Sequence, residues 1–134
     1  MRPAEQAERW LAQAEDDLRW ASHLKDAGAY NLACFLSQQV AEKAMSALLY
    51  RAGREVVLGH SVQDLCAQVA EVWPQVRREQ CERWSALDGY YLSTRYPDAL
   101  PGGLPARAYD RHAAEDAVSA AVEAVDAARR IVRG

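Results

Sequence analysis

Gln38, Gln39, Glu42 and Lys43 put four hydrogen-bonding side chains into what is otherwise the most apolar helical stretch of the chain, Ser37-Gln38-Gln39-Val40-Ala41-Glu42-Lys43-Ala44. At about 100° per residue they fill one continuous arc, with Gln38/Glu42 and Gln39/Lys43 as i,i+4 neighbours able to touch. Leu32 and Phe35 lie below them on that arc and Leu49 and Tyr50 above, so they form a polar island and not a solvated face. An island of this kind is a buried hydrogen-bonded network, part of a protein interface, or one wall of a ligand site. In the structural reading the glutamines and the Glu/Lys pair bond across to loops or to a second subunit, since buried polar groups are held paired. In the ligand reading Lys43 and Gln39 meet a phosphate or a base.

Arg95-Tyr96-Pro97-Asp98 is the other site-like segment. Arginine beside tyrosine at the rim of a loop can clamp a phosphate and stack a base. The bland alternative is a helix stop in which Arg95 complements the helix dipole and pairs with Asp98 or Asp88. His60 stands just before a helix start, where it shapes the turn or, given a nearby acid or base, takes part in proton transfer. His23 and His112 read as surface residues, and Asp16-Asp17 points to two sides of its helix and reads as solvation. No metal-ligand cluster, nucleophile elbow or paired carboxylate set stands out, so no metal, cofactor or catalytic residue is expected.

Composition bounds what such a site can serve. With 134 residues, half of them hydrophobic, the chain reads as a single domain over 1–134, long enough to bury a core. A formal net charge of -3 argues against bulk nucleic-acid binding, which draws on many cationic contacts to phosphates. Cys34, Cys66 and Cys81 show no CxxC spacing and leave an odd count, so neither a disulfide framework nor a zinc site is indicated and a reducing, cytoplasmic setting is expected. There is no basic start with an apolar run, and no stretch of membrane-spanning length, so no membrane association is expected.

The elements that position these residues are all helical. From Ala4 to about Asp26, Ala7, Trp10, Leu11, Ala14, Leu18, Ala21 and Leu24 recur at spacings of three and four, and Gly28 stops the run. A second helix spans about Tyr30 to Ala52 with Gly53 as its left-handed end, and its apolar circumference makes it central. Ser61 and Asp64 resemble a capping box for a third helix that starts near Val62 and ends at Trp73-Pro74. A fourth is expected from about Gln75 to Thr94, with Trp84, Asp88, Tyr91 and Arg95 on one stripe. The proline- and glycine-rich stretch Pro97–Pro105 reads as the long loop. The last helix, about Asp110 to Val132, carries an alanine stripe (Ala113, Ala117, Ala120, Ala121, Ala124, Ala128) for close approach. The tryptophans Trp10, Trp20, Trp73 and Trp84 read as core or interface groups. The fold class is all-α, an antiparallel up-and-down bundle of four to five helices.

Three blocks in order resemble the HEPN family, small helical domains associated with nucleotide binding. They are Ala29-Tyr30 through Phe35 to Gln38-Gln39-x-x-Glu42-Lys43-Ala44, then Gly59-His60-Ser61-Val62-x-x-Leu65, then Thr94-Arg95-Tyr96-Pro97-Asp98. The likeness covers essentially the whole chain. It implies a helical bundle, commonly a homodimer, often encoded beside a minimal nucleotidyltransferase. It also brings in a ribonuclease branch whose motif is an arginine, four to six residues, then a histidine. Arg54 to His60 and Arg107 to His112 meet that spacing, but Ala108 stands where the family has a polar residue, and Val62 or Ala114 where its toxins have tyrosine. The expectation is therefore a dimeric nucleotide-binding or accessory protein for a nucleotidyltransferase, without chemistry of its own. Gln39, Glu42, Lys43, His60, Arg95, Tyr96 and Asp98 are its candidate nucleotide site. The alternatives are a HEPN ribonuclease toxin of a toxin-antitoxin system and a structural dimeric scaffold.

Overall fold

A computed structural model describes residues 1–59 and 61–134; His60 lies outside the described residues. Helix α1 (Pro3–Asp26) opens with proline in its first turn, where a missing N–H is tolerated, and ends with His23 and Lys25 beside its last carbonyls. Gly28, at φ +85°, turns the chain back. Helix α2 (Tyr30–Arg51) follows at once and is the hub: it packs on α1, on α6 (Arg111–Val132) and on α3 (Val62–Val72). Its buried residues occupy most of its circumference, as expected of a central helix.

Side-chain pairs fix the directions. Lys43 meets Asp17 and Trp10 stacks on Tyr50, so α1 and α2 are antiparallel. Arg129 and Arg133, at the C-terminal end of α6, meet Glu15 and Glu8, so α1 is antiparallel to α6 as well. Ala114, Ala117, Ala121, Ala124 and Ala128 of α6 are buried, and their small side chains let α6 lie close against its neighbours. Truncating a large core residue such as Leu48 to alanine would cost about 2–5 kcal/mol.

The all-α bundle is as expected, and the third helix begins and ends as read from the sequence: Ser61 accepts the Asp64 N–H at 3.1 Å, and Trp73 closes α3 while its indole N–H donates to the Leu48 carbonyl at 2.8 Å. The fourth helix differs. In place of one helix from Gln75 to Thr94, α4 covers Arg78–Ser85, a 3-10 turn covers Ala86–Tyr90, and turns lead to Arg95. Gly89 weakens the helix there, and the Asp88 carboxylate is taken up by α3. The Ser93 and Thr94 hydroxyls bond back to the Gly89 and Tyr90 carbonyls, a local alternative to continued helix. The proline-rich loop contains a 3-10 turn (Pro97–Ala99) and a single-turn helix α5 (Pro105–Ala108).

Among the described residues there is no strand, and no helix is long and apolar enough to cross a membrane.

Candidate functional site

The polar island of α2 divides into a buried half and an open half. Gln38 is fully buried. Its amide nitrogen donates to Asp88 Oδ1 at 3.1 Å, and its carbonyl oxygen accepts from Gln39 Nε2 at 2.7 Å. Asp88 in turn accepts the Val62 N–H at 2.8 Å and the Gln63 N–H at 3.0 Å, which places its charge on the N-terminus of α3. Gln39 also donates to Glu42 Oε2 at 2.9 Å. A continuous relay therefore runs from Glu42 through both glutamines and Asp88 to the start of α3.

The open half lines a cleft. Gln39, Glu42, Lys43 and Ser46 of α2, Trp10 of α1, and Val57, Leu58 and Gly59 of the connector enclose about 270 Å³. Lys43 is held by Asp17, whose other oxygen accepts from Gln13 at 2.8 Å. Asp17, read from the sequence as a solvated surface residue, is thus the anchor of the cleft's lysine: the α1–α2 register brings the two together. A neighbouring depression of about 460 Å³ shares Trp10 and Lys43 and adds Gln6, Arg9 and Gln13. The connector residue after Gly59 in sequence, His60, is a candidate that lies outside the described residues.

Arg95 and Tyr96 do not line this cleft; they gather one helical turn earlier on the same helix, around Phe35. The Arg95 guanidinium lies 4.3 Å from the Phe35 ring centroid, 4.7 Å from that of Tyr91 and 5.1 Å from that of Tyr96. Its Nε donates to the Tyr91 carbonyl at 2.9 Å. Three rings around one guanidinium give cation–π attraction while leaving the charge without a carboxylate partner among the described residues. The expected pairing of Arg95 with Asp98 or Asp88 does not occur: Asp88 is committed to Gln38 and α3, and Asp98 is exposed on the 3-10 turn that follows.

Phe35 and Tyr91 are site residues that the sequence reading misses, although the stripe Tyr91–Arg95 carries half the signal. Around them the surface is apolar: Leu32 is 42% exposed, Leu92 53% and Tyr96 51%.

Of the two arginine–histidine spacings, Arg54 and the Arg107/His112 pair fall outside both features, and His60 lies outside the described residues. Arg54 bonds Gln68 of α3, and Arg107 sits in α5 beside Gly102 and Gly103, with exposed His112 in the first turn of α6. Among the described residues no group of three or more His, Cys, Asp or Glu is arranged to hold a metal.

The sequence profile of the HEPN domain matches residues 7–131. Three solved structures are similar over nearly their whole length. A Thermus thermophilus protein is 40% identical with a TM-score of 0.84, covering 93% of this chain and 97% of its own. An archaeal HEPN homologue is 32% identical with a TM-score of 0.74, covering 94% and 97%. A HEPN domain protein of Thermotoga maritima is 33% identical with a TM-score of 0.73, covering 93% and 98%. No curated protein matches the sequence.

Proposed function

The chain belongs to the HEPN domain family, and from that premise we propose that it binds a nucleotide along the open face of α2 as an accessory subunit without chemistry of its own. The observation that carries this reading is the Arg95 guanidinium ringed by Phe35, Tyr91 and Tyr96 and left without a carboxylate among the described residues. A charge seated on aromatic faces attracts a phosphate, and a partly exposed tyrosine beside it offers a stacking plane worth about 1–3 kcal/mol per base. One turn further along α2, the Gln39 side-chain carbonyl lines the cleft as an acceptor for a base or ribose edge, its amide nitrogen being taken up by Gln38 and Glu42.

The partner in this proposal is a minimal nucleotidyltransferase, and the working form is a homodimer. Exposed Leu32, Leu92 and Tyr96 beside the arginine support a protein–protein contact on the same face, and they also favour the second reading, a structural dimeric scaffold. Calorimetric titration with a panel of mono-, di- and triphosphates separates the two. Binding by at least one nucleotide that Arg95→Ala abolishes supports the first reading; heat-silent titrations with a stable dimer at every protein concentration leave the scaffold. The ribonuclease alternative is tested in the same preparation, since RNA cleavage lost in His112→Ala or His60→Ala with folding intact would overturn both.

A further inference from the structure

Cys66 and Cys81, fifteen residues apart, are brought together by the α3–α4 hairpin. The Cys81 thiol donates to the Cys66 carbonyl oxygen at 3.8 Å. Both line one groove of about 550 Å³ with Gln63, Arg78 and Ser85, while the third cysteine, Cys34, is buried in α2. We infer that Cys66 and Cys81 form a redox-active dithiol, a modification site at which a hydroperoxide converts the pair to an intramolecular disulfide.

Each sulfur has a distinct part. Cys81 is partly exposed in the groove and Cys66 is 2% exposed, so ionisation is less costly at Cys81. Interaction with the Cys66 side chain holds the Cys81 thiol below its ordinary value. The same pairing, with burial, pushes the Cys66 thiol up. Cys34 is pushed up to about 12 by burial and is the unreactive internal control.

Cys81 thiolate attacks the terminal oxygen of a hydroperoxide, ROOH; the O–O bond breaks, the alkoxide takes a proton and leaves as ROH, and Cys81 becomes a sulfenic acid. Cys66 then attacks that sulfur; the S–O bond breaks, the Cys66 proton joins the departing hydroxide, and water leaves. Two thiols lose two electrons and two protons, and the peroxide is reduced to an alcohol and water. The bridge closes the loop through Trp73-Pro74 and ties α3 to α4, between two residues that already touch and share one groove.

The test is peptide mapping of the whole purified chain after exposure to hydrogen peroxide and alkylation under denaturing conditions. The expected product is a monomer two hydrogen masses lighter, with a Cys66–Cys81 linked peptide and free thiols reduced from three to one. Dithiothreitol reverses it, and the oxidised form melts about 5 °C higher. Cys66→Ser is expected to stop at a dimedone-trappable sulfenic acid on Cys81, and Cys34→Ser to behave as the wild type. Sulfinic Cys81 beside intact Cys66, linkage through Cys34, a disulfide between two chains, or no oxidation in excess peroxide would each overturn the proposal; because the mapping is done on the unaltered chain, a variant that fails to fold does not obscure the result.

Discussion

Gln38 donates to Asp88 at 3.1 Å, and this one bond joins a fully buried polar side chain of α2 to the carboxylate seated on the N-terminus of α3. The same carboxylate accepts the Val62 and Gln63 backbone N–H groups. The buried polar residue and the break in the expected fourth helix therefore have a common cause. Asp88 can reach both Gln38 and the start of α3 from a 3-10 turn, and Gly89 next to it keeps the α-helix from continuing.

Replacing Asp88 tests that arrangement. Asp88→Ala removes the acceptors for two helix N-terminal donors and leaves the buried Gln38 amide unpaired, so the expected loss is about 2–4 kcal/mol. Asp88→Asn keeps one acceptor oxygen and should lose less than half as much. Urea unfolding of the two variants gives both numbers; an alanine variant within about 0.5 kcal/mol of the wild type would remove the cap from this account.

Lys43 and Asp17 should behave as a coupled pair. Their side chains are 26% and 14% exposed, enough shielding to lift the pair above an open surface salt bridge. Lys43→Met and Asp17→Asn are each expected to destabilise by about 1–2 kcal/mol, with a coupling energy near ~1 kcal/mol in the double-mutant cycle. Additive single effects would mean that the two side chains act independently and that Lys43 is free to serve a ligand.

Much of this was legible in the sequence, and the parts that were not share a reason. Ala7, Leu11, Ala14 and Ala21 recur on one face, and Gly28 and Gly53 adopt positive φ where the helices had to stop, because those signals are local. Ser61 caps α3 by accepting the Asp64 N–H, one half of the capping box that their spacing suggests. The Asp88-Gly89 dipeptide is also a local signal, but the regular stripe through Trp84, Asp88 and Tyr91 reads as one continuous helix. Asp17 meeting Lys43, Phe35 lying under Arg95, and Cys66 facing Cys81 are of another kind. Each depends on the register of two packed elements, which no single helix's periodicity contains.

Acid should weaken the α1–α6 contact through Glu15. Hydrogen bonding to Arg133, then to Arg129, holds its carboxyl below the usual carboxylate range despite partial burial. Its folded pKa being depressed, the stabilisation is fully present above the unfolded value of about 4.3 and is lost as pH falls through the folded one. Urea midpoints measured from about pH 7 down to about pH 3 should therefore decline, and Glu15→Gln should lower the midpoint at neutral pH while flattening that decline. An unchanged acid slope in the variant would assign the decline to other carboxylates.

Arg95 offers the sharpest separation of function from stability, because its charge rests on rings and, among the described residues, not in an ion pair. Arg95→Lys keeps the charge but gives up the planar guanidinium that stacks on Phe35 and Tyr96 and can grip two phosphate oxygens at once. If a nucleotide sits here, Arg95→Lys should weaken its binding about tenfold and Arg95→Ala more, with unfolding free energies within about 1 kcal/mol of the wild type. Phe35→Ala, which removes the floor under the guanidinium, should weaken binding as much as the lysine exchange. Calorimetry with the tightest nucleotide of the panel reads all three. Equal affinity in wild type and Arg95→Ala would move the ligand off this cluster, and a drop in dimer stability in its place would give the three rings to the subunit interface.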